Sequence, residues 1–311
     1  MPKASNVPLL DRFFGLFTGD PGTGKSMAAQ TFPRPIYLFD IDGRIKSSVN
    51  HFRADPELLA DIDFDQFRSF EKFCVKLEAL ENRCPYKTVI IDSITTLAQL
   101  IFRDVLRQKG GGHILREVAR NAKRSQVNDE KGEGARRVGG IMIAGFEEYK
   151  VENSAFIEIL DLAKYAIKAH VIFTGHTTDR TVMPEKKGDD TTRRALLTAG
   201  KQVAAMIPVS FDEVWYFDTL GDISGNHEYV FHTKPTGPDF AKTSMPIPPR
   251  IGWTRKHMDK PISATNGNVY LKIIELLKQA GHEVAGIEGP NVPDDNQITQ
   301  LQTEESRVQV F

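Results

Sequence analysis

The chain has 311 residues, 40% of them apolar and 26% charged, the composition of an ordinary soluble protein that can bury a sizeable core without staples, as one large domain or a domain plus appendages. A net charge of −1 excludes an overall field drawing it to DNA or a membrane, so any such attraction has to come from a local patch. The two cysteines, Cys74 and Cys84, sit outside any metal-binding spacing and read as inert thiols in a reducing compartment. No apolar run approaches the roughly 20 residues that span a bilayer, and the N-terminus lacks a signal peptide's long apolar stretch, so a cytoplasmic protein is expected.

In chain order, "RFFGLFTG" (12–19) and "RPIYLFDID" (34–42) are short apolar runs suited to buried parallel strands. Between them a helix is expected to begin near Lys25. "YKTVIIDS" (86–93) is the next strand. Ile94, Leu97, Ala98, Ile101 and Val105 then recur at helical spacing, which predicts an amphipathic helix over 94–108. A second helical pattern covers 148–168, and "AHVIFTGH" (169–176) follows as a strand. This alternation implies an α/β fold with a mainly parallel central sheet.

Farther on, 193–200, 212–219 and 227–235 read as strands, with "ISGNH" as a hairpin connection. A helix over 269–281 stops at a glycine. From Glu283 onward the chain is polar and acidic and is expected to be a disordered tail. The expected organisation is a core over 1–262, a C-terminal helix within 263–282 and the tail over 283–311.

The segment "GDPGTGKS" (19–26) fits G-x-x-x-x-G-K-[ST] in full, with Gly19, Asp20, Pro21, Gly22, Thr23, Gly24, Lys25, Ser26 and then Met27 forming the candidate nucleotide-binding loop. Such a loop holds a polyphosphate on converging backbone N–H groups at a helix N-terminus, where the helix dipole favours anions. Lys25 would reach the β- and γ-phosphates, and the Ser26 hydroxyl would coordinate Mg²⁺. A carboxylate is needed opposite that serine at the end of a nearby strand. Asp92, closing "TVIID", supplies it as the Walker B position and second metal ligand. In "IYLFDID" alternation points Asp40 and Asp42 to one face, and Asp42, nearest the carboxyl end, is the candidate for activating an attacking water; Asp-Gly is equally a turn signal. His176 ends its strand at the same edge and is a candidate γ-phosphate sensor.

Together these positions resemble the RecA-like branch of P-loop ATPases, and more closely the RecA-like nucleotide-binding proteins of phages and prophages, a group that includes phage single-strand annealing ATPases. The likeness runs from about Leu9 to Lys242 through "GDPGTGKS", "YLFDIDG", "VIIDS", "VIFTGH" and "LLTAGKQVAAMIPVSFDEVWYF". The resemblance implies a RecA-like P-loop core with a strand-rich C-terminal part, ATP and Mg²⁺ as ligands, and a ring or filament of identical subunits. It implies that Asp42 is the water-activating acid and that His176 links the γ-phosphate to DNA-contacting loops. It also implies that Lys201 in "TAGKQ" serves a neighbouring subunit's nucleotide. RecA-like proteins carry two mobile loops facing nucleic acid, and 107–140 and 177–194 occupy those places here. The first is basic, and Lys123, Arg124, Arg136, Arg137, Arg193 and Arg194 are the candidate contacts to single-stranded DNA. Neither loop is rich in aromatics, so non-specific binding is expected.

The expected function is therefore Mg²⁺-dependent ATP hydrolysis acting on single-stranded DNA in recombination or annealing, in a host cytoplasm if phage-encoded. Two other readings compete. One is a nucleotide or small-molecule kinase, with Arg193 and Arg194 as lid arginines and Asp42 binding an acceptor hydroxyl. The other is a nucleotide-dependent assembly scaffold with little hydrolysis, whose acidic tail docks a basic protein partner. No N-K-x-D guanine-reading motif occurs, which disfavours a GTPase.

Overall fold

A computed structural model describes residues 12–52, 59–110, 136–138, 141–143, 146–182, 191–198, 201–221, 227–236, 240–253 and 268–282. The first apolar run forms β1 (Phe14–Gly19), followed by a loop and the short helix α1 (Lys25–Ala29). The second forms β2 (Ile36–Asp40), then α2 (Ile45–His51), β3 (Ile62–Asp65) and α3 (Phe70–Asn82). Next come β4 (Thr88–Asp92) and α4 (Ile94–Gly110). The strands β5 (Arg136–Val138) and β6 (Ile141–Ile143) form a separate antiparallel pair. Helix α5 (Phe146–Asp161) runs into a π-helical turn, Leu162–Ala166. The remaining elements are β7 (His170–Val182), β8 (Thr191–Leu196), α6 (Lys201–Ser210), β9 (Glu213–Gly221), β10 (His227–His232), β11 (Arg250–Trp253) and α7 (Val269–Gln279).

One sheet carries the fold, in the order β11-β10-β9-β1-β7-β4-β2-β3, with β8 paired to the outer half of β7. From β9 through β3 all pairings are parallel, while β10 and β11 run antiparallel at one edge. Buried strands alternate between two apolar layers. Val89, Ile91, Val171 and Phe173 face α3 to α6, whereas Ile90, Ile172 and Trp215 face α1 and α7. This two-sided burial explains why the central strands read as continuous apolar runs rather than alternating ones. Parallel strands joined through helices also align their carboxyl ends, so β1, β2 and β4 end along one edge, which β7 crosses at His176.

Several expectations change. Strand β2 stops at Asp40, so Asp42 lies in the following bend and the two carboxylates do not share one strand face. The Asp40 carboxylate turns inward, accepting the backbone N–H groups of Arg44 (2.7 Å) and Ile45 (3.1 Å) and the Gln66 amide (3.1 Å), which fixes the start of α2. The place of the second loop is largely filled by a β-ribbon: β7 continues to Val182 and pairs with β8 from Thr191. Likewise α4 runs on to Gly110, and β5 occupies part of the first loop, pairing with β6 just beyond it. The segment expected as a strand over 193–200 is β8 at 191–196, followed by a helix that opens at Lys201. Strands β9 and β10 do pair antiparallel across the expected hairpin. Residues 111–135, with Lys123 and Arg124, and the tail over 283–311 lie outside the described residues.

Candidate nucleotide site

Central strand β1 delivers the chain to the loop between Gly19 and Gly24, and α1 begins at Lys25 directly beneath it. Gly24 has φ +88°, and a Cβ there would stand 2.7 Å from the Trp253 ring, so both backbone and space demand glycine. The Lys25 ammonium is held by the loop itself, donating to the carbonyl oxygens of Gly19 (2.8 Å) and Asp20 (2.7 Å). Burial pulls its pKa from 10.5 down to about 8, against the opposing pull of Asp92, Asp20 and Asp42.

Asp92 closes β4, two strands from β1. Its Oδ2 accepts the Ser26 hydroxyl at 2.8 Å and its Oδ1 accepts that of Thr174. Burial pushes this carboxyl's pKa up, only partly opposed by the two hydroxyls. A cation against Asp92 would relieve that cost. Ser26 and Asp92 offer oxygen donors only, which suits Mg²⁺, an ion commonly bound through one or two protein oxygens with phosphate and water completing the octahedron. Among the described residues no group of three or more His, Cys, Asp or Glu could hold a metal alone. The peptide bond from Asp92 to Ser93 is cis.

Asp42 reaches the same place from the bend after β2. Ser93 donates its hydroxyl to Asp42 Oδ1 at 2.9 Å, and His176 Nε2 lies 3.7 Å from Oδ2. Burial raises the Asp42 pKa, but hydrogen bonds from His176, Thr96 and Ser93 outweigh it and bring it to about 2. A carboxylate that acidic is a weak proton acceptor and a good fixed anion. It can orient a water through hydrogen bonds without taking its proton in the ground state.

His176 is anchored by its backbone, donating its N–H to Thr95 Oγ1 (3.0 Å) and accepting from Leu197 N (2.8 Å) just past β8. Thr177, the next residue of β7, donates to Asp20 Oδ1 of the loop at 3.2 Å. The root of the β7–β8 ribbon is therefore bonded both to the phosphate loop and to the Asp42 neighbourhood.

A cleft of about 230 Å³ unites these groups, lined by Gly22, Gly24, Lys25, Ser26, Met27, Asp42, Arg44, Ser47, Asp92 and His176. The expected loop, metal and water-side residues thus converge. Arg44 and Ser47 were not anticipated; a basic residue directly after the Asp42-Gly43 turn was the available signal. Of the expected DNA contacts, Arg136 and Arg137 lie on β5, and Arg193 and Arg194 on β8. The Arg194 guanidinium lies over the Tyr216 ring at 4.7 Å, with Nε 3.7 Å from Asp179 Oδ1, which places it on the ribbon.

A glycine loop between a central strand and a helix, faced by a carboxylate closing another parallel strand, defines a P-loop NTPase core. A family model described as an AAA domain, AAA_24, matches residues 14–245, and the chain belongs to that family. Among similar solved structures is a KaiC-like protein from the hyperthermophilic archaeon Pyrococcus horikoshii OT3, 13% identical, with a TM-score of 0.35 over 75% of this chain and 87% of that one. No curated protein matches. No described helix is long and apolar enough to cross a membrane.

Proposed function

We propose that this P-loop protein hydrolyses ATP with Mg²⁺ and couples the hydrolysis to single-stranded DNA, as in phage-type recombination or annealing. The observation that carries the proposal is the chain of contacts from the cleft to the ribbon. Asp42 faces His176 at 3.7 Å, the His176 carbonyl holds Leu197 beyond β8, and Thr177 holds Asp20. A shift of the γ-phosphate neighbourhood has a direct mechanical route to the ribbon.

In this reading the loop amides and Lys25 hold the phosphates, Ser26 and Asp92 hold Mg²⁺, and Mg²⁺ neutralises charge on the phosphates. Asp42 orients the attacking water through its anionic oxygen. His176 reports on that end of the cleft. Residues of β5, the ribbon and Lys123 and Arg124 contribute positive charge to a non-specific, salt-sensitive DNA surface. A homo-oligomer, with Lys201 serving a neighbour's nucleotide, and a basic protein partner for the acidic tail belong to the same proposal.

ATP hydrolysis by wild type, Lys25→Ala and Asp42→Asn, each with and without single-stranded DNA, tests it. DNA-stimulated turnover lost in both variants is expected. Phosphate transfer to a metabolite would install a kinase instead, and tight ATP binding without turnover would install a scaffold.

A further inference from the structure

Arg44 stands on the cleft wall, and among the described residues its guanidinium has no hydrogen-bond or ion-pair partner. Its backbone is fixed all the same. Asp40 accepts its N–H at 2.7 Å and Ser47 returns both N–H (2.9 Å) and hydroxyl (2.8 Å) to its carbonyl. Just before it, Gly43 turns the chain with φ +69°, which a side-chain-bearing residue adopts only with strain. A buried carboxylate, a glycine turn and a helix start therefore combine to set the Arg44 cation on the wall of the cleft.

The sheet order says which end of a nucleotide Arg44 faces. Asp92 closes β4, His176 lies within β7 and Asp42 follows β2, all on one side of β1, so the reacting end of a polyphosphate held over β1 points that way. Arg44 follows β2, the farthest of the three and about 14 Å from β1 at about 4.8 Å per strand. The Arg44 side chain lines the same cleft as Asp42, Asp92 and His176. Arginine's planar fork of N–H donors matches two phosphate oxygens at once.

We propose that Arg44 is a γ-phosphate ligand supplied in cis, so that each subunit carries its own phosphate-clamping arginine whatever a neighbour adds. Phosphoryl-transfer sites use such an arginine from the same chain or from a partner, to neutralise charge as the γ-phosphoryl group leaves. The assignment rests on the nucleotide-binding reading above and adds to it which phosphate Arg44 contacts.

The test is the affinity of full-length protein for ATP and for ADP, measured with Mg²⁺ by calorimetry under conditions too brief or too cold for turnover. Arg44→Ala is expected to weaken ATP at least about ten-fold while ADP stays within about two-fold. Lys46→Ala removes one exposed charge from the same helix outside the cleft lining and is expected to change neither. An unchanged unfolding midpoint shows that the Asp40 bond to the Arg44 backbone survives. Equal weakening of ATP and ADP, no weakening of either, or the same loss from Lys46→Ala would each overturn the assignment. Wild type that binds neither nucleotide would overturn the nucleotide reading itself, a result distinguishable from all of these.

Discussion

Replacing Lys25 by methionine is expected to make the protein more stable while removing its grip on nucleotide. Lys25 is 5% exposed, and its pKa falls from 10.5 to about 8 on folding, mainly because burial disfavours the charge. At about 1.4 kcal/mol per pH unit, the protonated lysine costs the folded protein about 3 kcal/mol. Methionine fills similar space without the charge but leaves the carbonyls of Gly19 and Asp20 without a donor, about 1 kcal/mol each. The net gain at pH 7 is about 1 kcal/mol. Because the folded pKa lies below the unfolded one, the penalty is complete below about pH 8, shrinks as pH rises toward 10.5 and is gone above it. The variant's advantage should therefore be present at pH 7 and lost or reversed at pH 10. Urea unfolding of both proteins at the two pH values measures this directly. A wild type more stable at pH 7, or a difference independent of pH, would refute the claim that the loop stores the cost of a buried cation.

Other consequences are equally concrete. Asp42→Asn should slow ATP hydrolysis about 100-fold or more with ATP affinity little changed. With its pKa lowered from 3.8 to about 2, Asp42 adds stability that is present above pH 3.8 and lost as pH falls through 2. Acid titration of wild type should accordingly unfold at higher stability than the variant near pH 5, and the gap should close toward pH 2. Gly24→Ala puts a Cβ 2.7 Å from Trp253 in a backbone with φ +88°, and should cost about 2 kcal/mol or more in urea unfolding; a loss under about 0.5 would show that loop and ring can move apart. Asp40→Ala removes the acceptor for the Arg44 and Ile45 amides and should destabilise by about 1–2 kcal/mol while reducing the preference for ATP over ADP. Undiminished nucleotide preference in a folded Asp40→Ala protein would separate the cap from the cleft.

What could be read in the sequence follows from how locally each feature is encoded. The loop from Gly19 to Ser26 is contiguous and its chemistry depends on its own backbone, so eight residues sufficed. Strand β4 and its terminal Asp92 were legible because two-sided burial leaves an uninterrupted apolar run. Strand β3, "IDFD", was not, since its alternation spans only four residues and buries only Ile62, leaving Phe64 exposed at the sheet edge. Helix α6 contains Pro208 and β-branched residues and takes its helical state from packing Val203 and Ile207 into the core. Helix α3 did carry a usable pattern in Phe73, Leu77 and Leu80 behind the capping Ser69.

Within the site, the meaning of "DID" depended on where β2 ends. Alternation puts Asp40 and Asp42 on one face, whereas folding gives Asp40 the backbone of α2 and leaves Asp42 to the cleft. His176 is legible as a candidate from its strand, but its partner Asp42, 3.7 Å away and 134 positions distant in sequence, is set only by the fold. Arg44 carries only a weak local signal, a basic residue after the Asp42-Gly43 turn. Its significance lies in facing Lys25, Asp92 and His176 across a cleft that exists only in the folded sheet.

The proposed coupling makes the state of the γ-phosphate felt by the proposed DNA surface through Asp42, His176 and the β7–β8 ribbon. Its most direct test is the affinity of Asp42→Asn, expected to hold ATP without consuming it, for a fluorescent single-stranded DNA in the presence of ATP and of ADP at fixed salt. By linkage, a nucleotide that changes DNA affinity is itself bound differently when DNA is present, by the same factor. The account predicts that the two nucleotides give DNA affinities differing by about ten-fold or more, and that His176→Ala added to the variant brings them together. Equal DNA affinity with ATP and ADP before His176 is touched would contradict it.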